Sequence, residues 1–242
     1  LKIKIKKKYP KIKIFLSKKN LGYGAANNEI IKKSKTPFVF ILSPDVILNN
    51  KCEENLIKGA KKLKKNFAVA SAIPNIKNYI ILGENRLLKN NLFEVNYVHG
   101  FSMLIDKKRF KSVGMFDENF FLYNEEKDLC KRLRLANQKV YIIKDAQVKH
   151  LAAKSTNIGF EFDKCRNWHW MWSQVYFNKK YSNNIYVYFK FIILSFIQLI
   201  KIIFYIMIFN KREIINKTMR FSGLINSLLG KSSWYRPKFK FD

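Results

Sequence analysis

Five apolar residues run without a break from Phe38 to Leu42 and stop at Ser43-Pro44-Asp45. A run of that length closed by turn residues predicts a continuous apolar strand with an acid at its carboxyl end, where open α/β sheets place ligands. Ile12 to Leu16 alternates apolar and basic residues with the period of a strand. Gly22 and Gly24 then permit a tight turn into a helix near Ala25 to Lys33, a layout that can turn backbone N–H groups toward a phosphate. Lys139 to Ile143 predicts a further strand, and a second short one runs from Gln147 to His150, before Ala152. Between these lies Phe116 to Arg132. Its bulky stretch Asn119 to Tyr123 suits a strand or buried loop, and Asn124 suits an N-cap. The helix that follows carries Glu125, Glu126 and Asp128 in its first turn, where the macrodipole favours acids. Leu129, Leu133 and Ala136 form its core-facing stripe, and Asp128 and Arg132, four apart, can pair. Strands alternating with helices through residue 150 predict an α/β sandwich around a mostly parallel sheet.

Beyond residue 160 the pattern changes. A helix from Asp163 gathers Arg166, Trp168, Trp170 and Trp172, residues that stack on sugars, pair with diphosphate, sit at a membrane interface or simply pack on a core. Ile185 to Phe209 is the most apolar stretch, long enough for a bilayer at about 20 residues. Lys190, Gln198 and Lys201 interrupt it, and a charge at the bilayer centre costs roughly 2.5 to 3.5 kcal/mol. An in-plane or re-entrant helix is therefore favoured over a full span, with a buried helical hairpin as the alternative. Lys211, Arg212, Lys217 and Arg220 then offer positive charge to an anionic leaflet. The chain divides into residues 1–180, a catalytic-type α/β unit, and residues 181–242, a helical membrane-associating tail.

Charge alters this picture little. The formal net charge is +30, yet only eight of the 47 basic residues are arginine and the lysines are scattered. Specific nucleic-acid readers favour arginine forks, so no nucleic-acid partner is expected. Cys52, Cys130 and Cys165 are widely spaced and form no CxxC, which predicts a reduced setting without structural zinc. The chain opens on Leu1 with a basic strand, and a natural start upstream of Leu1 is expected.

The chemistry concentrates in the acidic helix start, because carboxylates beside aromatics can hold a proton acceptor in a partly dry site. Four blocks set it in context: Asn20 to Asn27 (NLGYGAAN), Phe40 to Val46 (FILSPDV), His99 to Ile105 (HGFSMLI), and Phe116 onward to His150. In order and spacing the sequence resembles glycosyltransferase family 2, and especially its rhamnosyltransferase-like bacterial branch. The segment from Phe221 to Lys231 is similar to that branch's tail. The resemblance implies a GT-A fold, an α/β/α sandwich, and an inverting transfer of a sugar from a nucleoside-diphosphate donor. It assigns Glu126 as the general base, Glu125 to the acceptor, and Asp128 with Arg132 to bracing. Asn20, Gly22, Asn27, Gly100 and Arg166 fall to the donor. Asp45 and His150 fall to a Mg²⁺ or Mn²⁺ ion that leans also on diphosphate oxygens and water. Ser43 replaces the first acid of the metal motif, and Glu126 stands where the family usually has Asp. The family's first strand and its nucleotide-gripping acid would precede Leu1. The implied setting is surface polysaccharide synthesis at the cytoplasmic face of a bacterial inner membrane, peripheral or single-span. There the acceptor is lipid-linked or a polysaccharide, and dTDP-rhamnose is the donor the branch suggests. A noncatalytic, truncated module that binds membrane or glycan is the alternative.

Overall fold

A computed structural model describes residues 2–63, 67–74, 86–88, 91–151 and 159–237. In chain order the elements are α1 (Lys2–Lys8), α2 (Tyr23–Lys33), β1 (Phe38–Leu42), β2 (Val46–Leu48), α3 (Cys52–Lys62), β3 (Val69–Pro74), β4 (Arg86–Leu88) and β5 (Leu92–Glu94). Then come β6 (Ser102–Asp106), α4 (Lys107–Ser112), α5 (Glu125–Leu135), β7 (Val140–His150), α6 (Phe160–Tyr181), α7 (Asn184–Met207) and α8 (Lys211–Leu228).

One sheet runs in the order β1-β6-β3-β7-β5-β4, with β2 paired to β7. Its centre is buried on both faces, which the period-two pleat makes legible. Val69, Met103, Ile105, Val140 and Ile142 face a cluster with Ile31, Phe110, Phe116, Leu129 and Leu133 from the α2, α4 and α5 side. Their neighbours Ala70, Leu104, Tyr141 and Ile143 face Cys52, Leu56 and Ala60 of α3. Helices on both faces of one sheet make the sandwich that the alternation predicted.

Four expectations are corrected. Among the described residues only β3 and β7 run parallel, so the sheet is mixed and mostly antiparallel. Apolar runs reveal which faces are buried but not strand direction, and the β4–β5 hairpin and the β6 return reverse the chain. Ile12 to Leu16 is not a strand and the opening residues form α1, because alternation without a partner edge satisfies no backbone group. Lys139–Ile143 and Gln147–His150 are one strand, whose register against β3 shifts between Ala72 and Ile73. Ala136 is the exposed C-cap of α5, not part of its stripe. The predicted stretch after Leu151, from Ala152, lies outside the described residues.

The last three helices form a separate layer. Met171 and Val175 of α6, Val187 and Phe191 of α7, and Leu224 of α8 share one core. Gly223 lets α8 meet α6 closely, since a Cβ there would lie 2.1 Å from the Trp168 carbonyl oxygen. Residues 231–237 then return as a strap: Ser233 Oγ donates to the Asn119 carbonyl at 2.6 Å, and the Arg236 guanidinium lies 3.8 Å over the Phe121 ring. By length and composition α7 could cross a membrane, with a mean hydropathy of 2.0 and only 17% of its apolar window buried. Phe189, Phe196, Ile200 and Phe204 are among the apolar side chains it exposes.

Candidate active site

The glycine turn before α2 docks the loop before α5. Gly22 sits at φ 80°, and a Cβ there would come within 2.3 Å of the Phe121 carbonyl oxygen, so glycine serves both the backbone angle and the close approach. Asn20 Oδ1 accepts from the Gly22 N–H at 3.0 Å, and the Tyr23 N–H donates to the Phe121 carbonyl at 3.2 Å. The Tyr23 hydroxyl donates to the Gly100 carbonyl. Burial, and then the charges of Glu125 and Glu126, push its pKa up, so it stays a donor. Asn27 bonds within its own helix, to the Tyr23 carbonyl at 2.9 Å. Asn28, which sequence reasoning missed, is buried and takes both backbone groups of Phe116, its N–H at 3.1 Å and its carbonyl at 2.9 Å.

Tyr123 and Asn124 both take left-handed backbone angles, φ 70° and 67°. Asn124 stands at the N-cap as predicted but makes no side-chain cap bond. Asn tolerates that conformation better than most residues, which gives the sequence a different reason for it. The turn delivers three acids to three environments. Glu125 is buried, with Oε2 lacking a partner among the described residues; desolvation first, and Glu126 second, raise its pKa well above the ordinary range. Glu126 is half-buried, and desolvation raises its pKa too, which brings its protonation closer to neutral pH, where an acid–base group works best. Asp128 is fully buried and saturated. It bonds Arg132 at 2.7 and 2.8 Å, the Tyr181 hydroxyl at 2.8 Å, and Lys180. Lys180 and Tyr181 lie more than 50 residues away, and no local pattern could have found them.

Asp45 and His150 meet at the far end of the same wall. Val46 pairs with His150 across β2 and β7, the Leu151 N–H bonds the Asp45 carbonyl at 2.9 Å, and His150 Nε2 lies 3.3 Å from Asp45 Oδ2. Phe101 stacks on His150 at 4.6 Å, His99 on Phe101 at 5.8 Å, and Tyr97 stands edge-on to His99 at 6.1 Å. Lys127, in the first turn of α5, covers Tyr97 at 4.9 Å. A continuous row of rings thus links the Asp45–His150 pair to the acidic helix start. Burial, then Lys127 and His150, lower the His99 pKa, so its ring is neutral at pH 7. The row alternates as Tyr97, His99 and Phe101, a period-two signal the sequence displayed.

One carboxylate and one imidazole fit Mg²⁺ or Mn²⁺, which take few protein ligands and complete their shell with phosphate oxygens and water. Among the described residues no group of three or more His, Cys, Asp or Glu assembles. Ser43 has its backbone engaged, its N–H with Phe101 at 2.9 Å and its carbonyl with Val46 at 3.1 Å.

Arg166 donates from Nε to the Tyr123 hydroxyl at 2.9 Å and lines a cavity between α6 and α8. Neither Asp45 nor His150 lines that cavity. Of the tryptophans, Trp168 and Trp172 pack inside, with Nε1 on Ser222 Oγ at 3.1 Å and on the Lys231 carbonyl at 3.0 Å, while Trp170 is exposed beside Tyr123.

The sequence model of glycosyl transferase family 2 matches residues 3–128. Rhamnosyltransferase WbbL of Escherichia coli is 24% identical over 178 residues, 61% of this chain and 67% of that one. N-acetylglucosaminyl-diphospho-decaprenol L-rhamnosyltransferase of Mycobacterium tuberculosis is 24% identical over 189 residues. That match covers 62% of each protein, so the chain spans about two thirds of the length of these relatives. Among solved structures, the mannosyltransferase PcManGT of Pyrobaculum calidifontis, in complex with GDP-Man and Mn²⁺, superposes with a TM-score of 0.52 at 8% identity. The superposition covers 95% of this chain and 74% of that one, a likeness of fold.

Proposed function

The chain belongs to glycosyl transferase family 2, and from that premise we propose that it moves a sugar from a nucleoside diphosphate to a lipid-linked or polysaccharide acceptor, with inversion. The observation that carries the proposal is the row of rings joining Asp45 and His150 to the first turn of α5. In this reading Asp45 and His150 serve the diphosphate side and Glu126 the proton, and the row supports it by joining the two. Glu126 takes the proton of the acceptor hydroxyl as that oxygen bonds to the anomeric carbon. The bond from that carbon to the diphosphate breaks, and its electrons leave on the diphosphate oxygen. Glu125, buried beside Glu126, orients the acceptor, while Asp128, saturated by Arg132, Lys180 and Tyr181, holds the helix in place. Asn20 and Gly22 form the turn on the donor side, and Gly100 is positioned by Tyr23. A Mg²⁺ or Mn²⁺ ion held by Asp45 and His150 would neutralise charge on the leaving diphosphate.

Residues 1–180 act as the catalytic part and 181–242 as the tail, which lies in the plane of the cytoplasmic leaflet through α7. The relatives' rhamnosyl names support a deoxyhexose donor, and the diphospho-decaprenol in one of them supports a lipid-linked acceptor.

The test is melting of the protein with UDP, dTDP or GDP in the presence of Mn²⁺. One of them should raise the melting temperature, and Glu126→Gln should keep that shift while losing transfer. If none binds, the chain is a noncatalytic module. Retained turnover in Glu126→Gln moves the base to another acid.

A further inference from the structure

The cavity between α6 and α8 measures about 750 Å³, within the range of small-molecule sites. It has a composition the transfer step above does not use. Four cations line it, Arg166 from α6 and Arg212, Lys217 and Arg220 from α8, against the two carboxylates Asp163 and Glu213. The carboxylates are already matched, Asp163 by Arg212 at 2.8 Å and Glu213 by Lys217 at 2.7 Å. Arg166 and Arg220 feel these two carboxylates only at longer range. Their Nε groups go to neutral partners, the Tyr123 hydroxyl at 2.9 Å and Asn167 Oδ1 at 2.7 Å. Among the described residues neither has a carboxylate within 4.0 Å, and their terminal nitrogens carry no hydrogen bond. Two guanidinium forks with free N–H groups suit phosphate oxygens, which they bind in bidentate fashion.

The cavity also touches both ends of the proposed reaction. Tyr123 stands two residues before Glu125. Asn210 follows Phe209, which is 86% exposed at the end of the apolar hairpin helix. A ligand with a phosphate in the cavity would have lipid on one side and the acidic helix start on the other.

We propose that this cavity holds the diphosphate of a lipid-linked sugar acceptor, with Arg166 and Arg220 on its oxygens and the exposed face of Trp170 beside the sugar. The assignment rests on the transferase reading, and it moves Arg166 from the donor to the acceptor.

The probe is geranylgeranyl diphosphate in phosphatidylcholine vesicles, compared with phosphatidylglycerol vesicles of equal charge and with inorganic pyrophosphate. The protein should sediment with the diphosphate vesicles at a lipid concentration at least tenfold lower than with phosphatidylglycerol. Arg166→Gln with Arg220→Gln should remove that preference, bringing binding to the diphosphate vesicles down to the level of the phosphatidylglycerol vesicles. If the double variant does not fold, Arg220→Lys, which keeps charge but loses the fork, should reduce the preference severalfold. Equal binding to both vesicles, or a preference unchanged by the variants, overturns the proposal. Pyrophosphate binding as tight as the lipid-borne diphosphate overturns the lipid source. Nucleoside-diphosphate binding with Mn²⁺, measured separately on the unaltered protein, is the readout that fails if the transferase reading fails.

Discussion

Replacing Asp128 with alanine removes an acceptor that ties α5 to α6. The carboxylate is fully buried and pairs with Arg132 and Lys180, while the Tyr181 hydroxyl adds a third bond at 2.8 Å. Removing one partner of a buried ion pair typically costs 3–5 kcal/mol, because the other charge is left uncompensated. The Arg132 and Lys180 side chains are 20% and 26% exposed, and Lys180 keeps Asp117 at 2.8 Å, so water and that second acid absorb part of the loss. The low end, about 3 kcal/mol, is the expected cost. For a chain of this size about 2–4 °C of melting temperature accompanies each kcal/mol, so the midpoint should fall by about 6–12 °C. Urea unfolding of the two proteins measures the difference directly. Asp128→Asn should cost less, since it still accepts from Tyr181. A loss below about 1 kcal/mol, the value of a surface pair, would refute the idea that Asp128 is a structural clasp.

The neighbouring acid should respond in the opposite sense. Because burial raises the Glu125 pKa, the folded state holds its proton more tightly than the unfolded chain, and stability contributed by this group falls as pH rises from about 4.5 upward. Glu125→Gln should flatten that decline and raise the urea midpoint at pH 7, and an unchanged pH profile would count against the buried charge. Gly223→Ala should destabilise by about 1–3 kcal/mol or more, since its methyl would meet a backbone oxygen rather than a yielding side chain; a variant that melts like the unaltered protein would show that α8 can back away. Phe196→Ser with Ile200→Ser, both more than half exposed on α7, should weaken sedimentation with anionic vesicles without lowering the melting temperature. Unaltered sedimentation would place the membrane contact elsewhere.

What the sequence made legible was local. The strand at Phe38–Leu42 and the acidic start of α5 each follow from a few contiguous residues. The meeting of Asp45 with His150 was implied by resemblance, and the structure supplies its cause, a strand pair that no composition encodes. Ile12–Leu16 misled because alternation signals a possible strand, whereas a strand exists only with an edge to pair with. Sheet direction was misjudged for a related reason, since buried strands look alike whichever way they run. The ring row was present as alternate residues from Tyr97 to Phe101, but its meaning depended on His150 arriving from β7.

The returning strap also fixes an order of events during synthesis. The loop that leads into the acidic helix start is held by Ser233 on Asn119 and by Arg236 on Phe121, groups more than 110 residues later in the chain. The ribosome therefore releases the apolar α7 before the loop can acquire its last supports. A lipid surface meeting the nascent chain would find that helix first, and the acidic turn would settle only afterwards. Removing the last residues to gain a more tractable protein would thus strip support from the very loop that carries the acids.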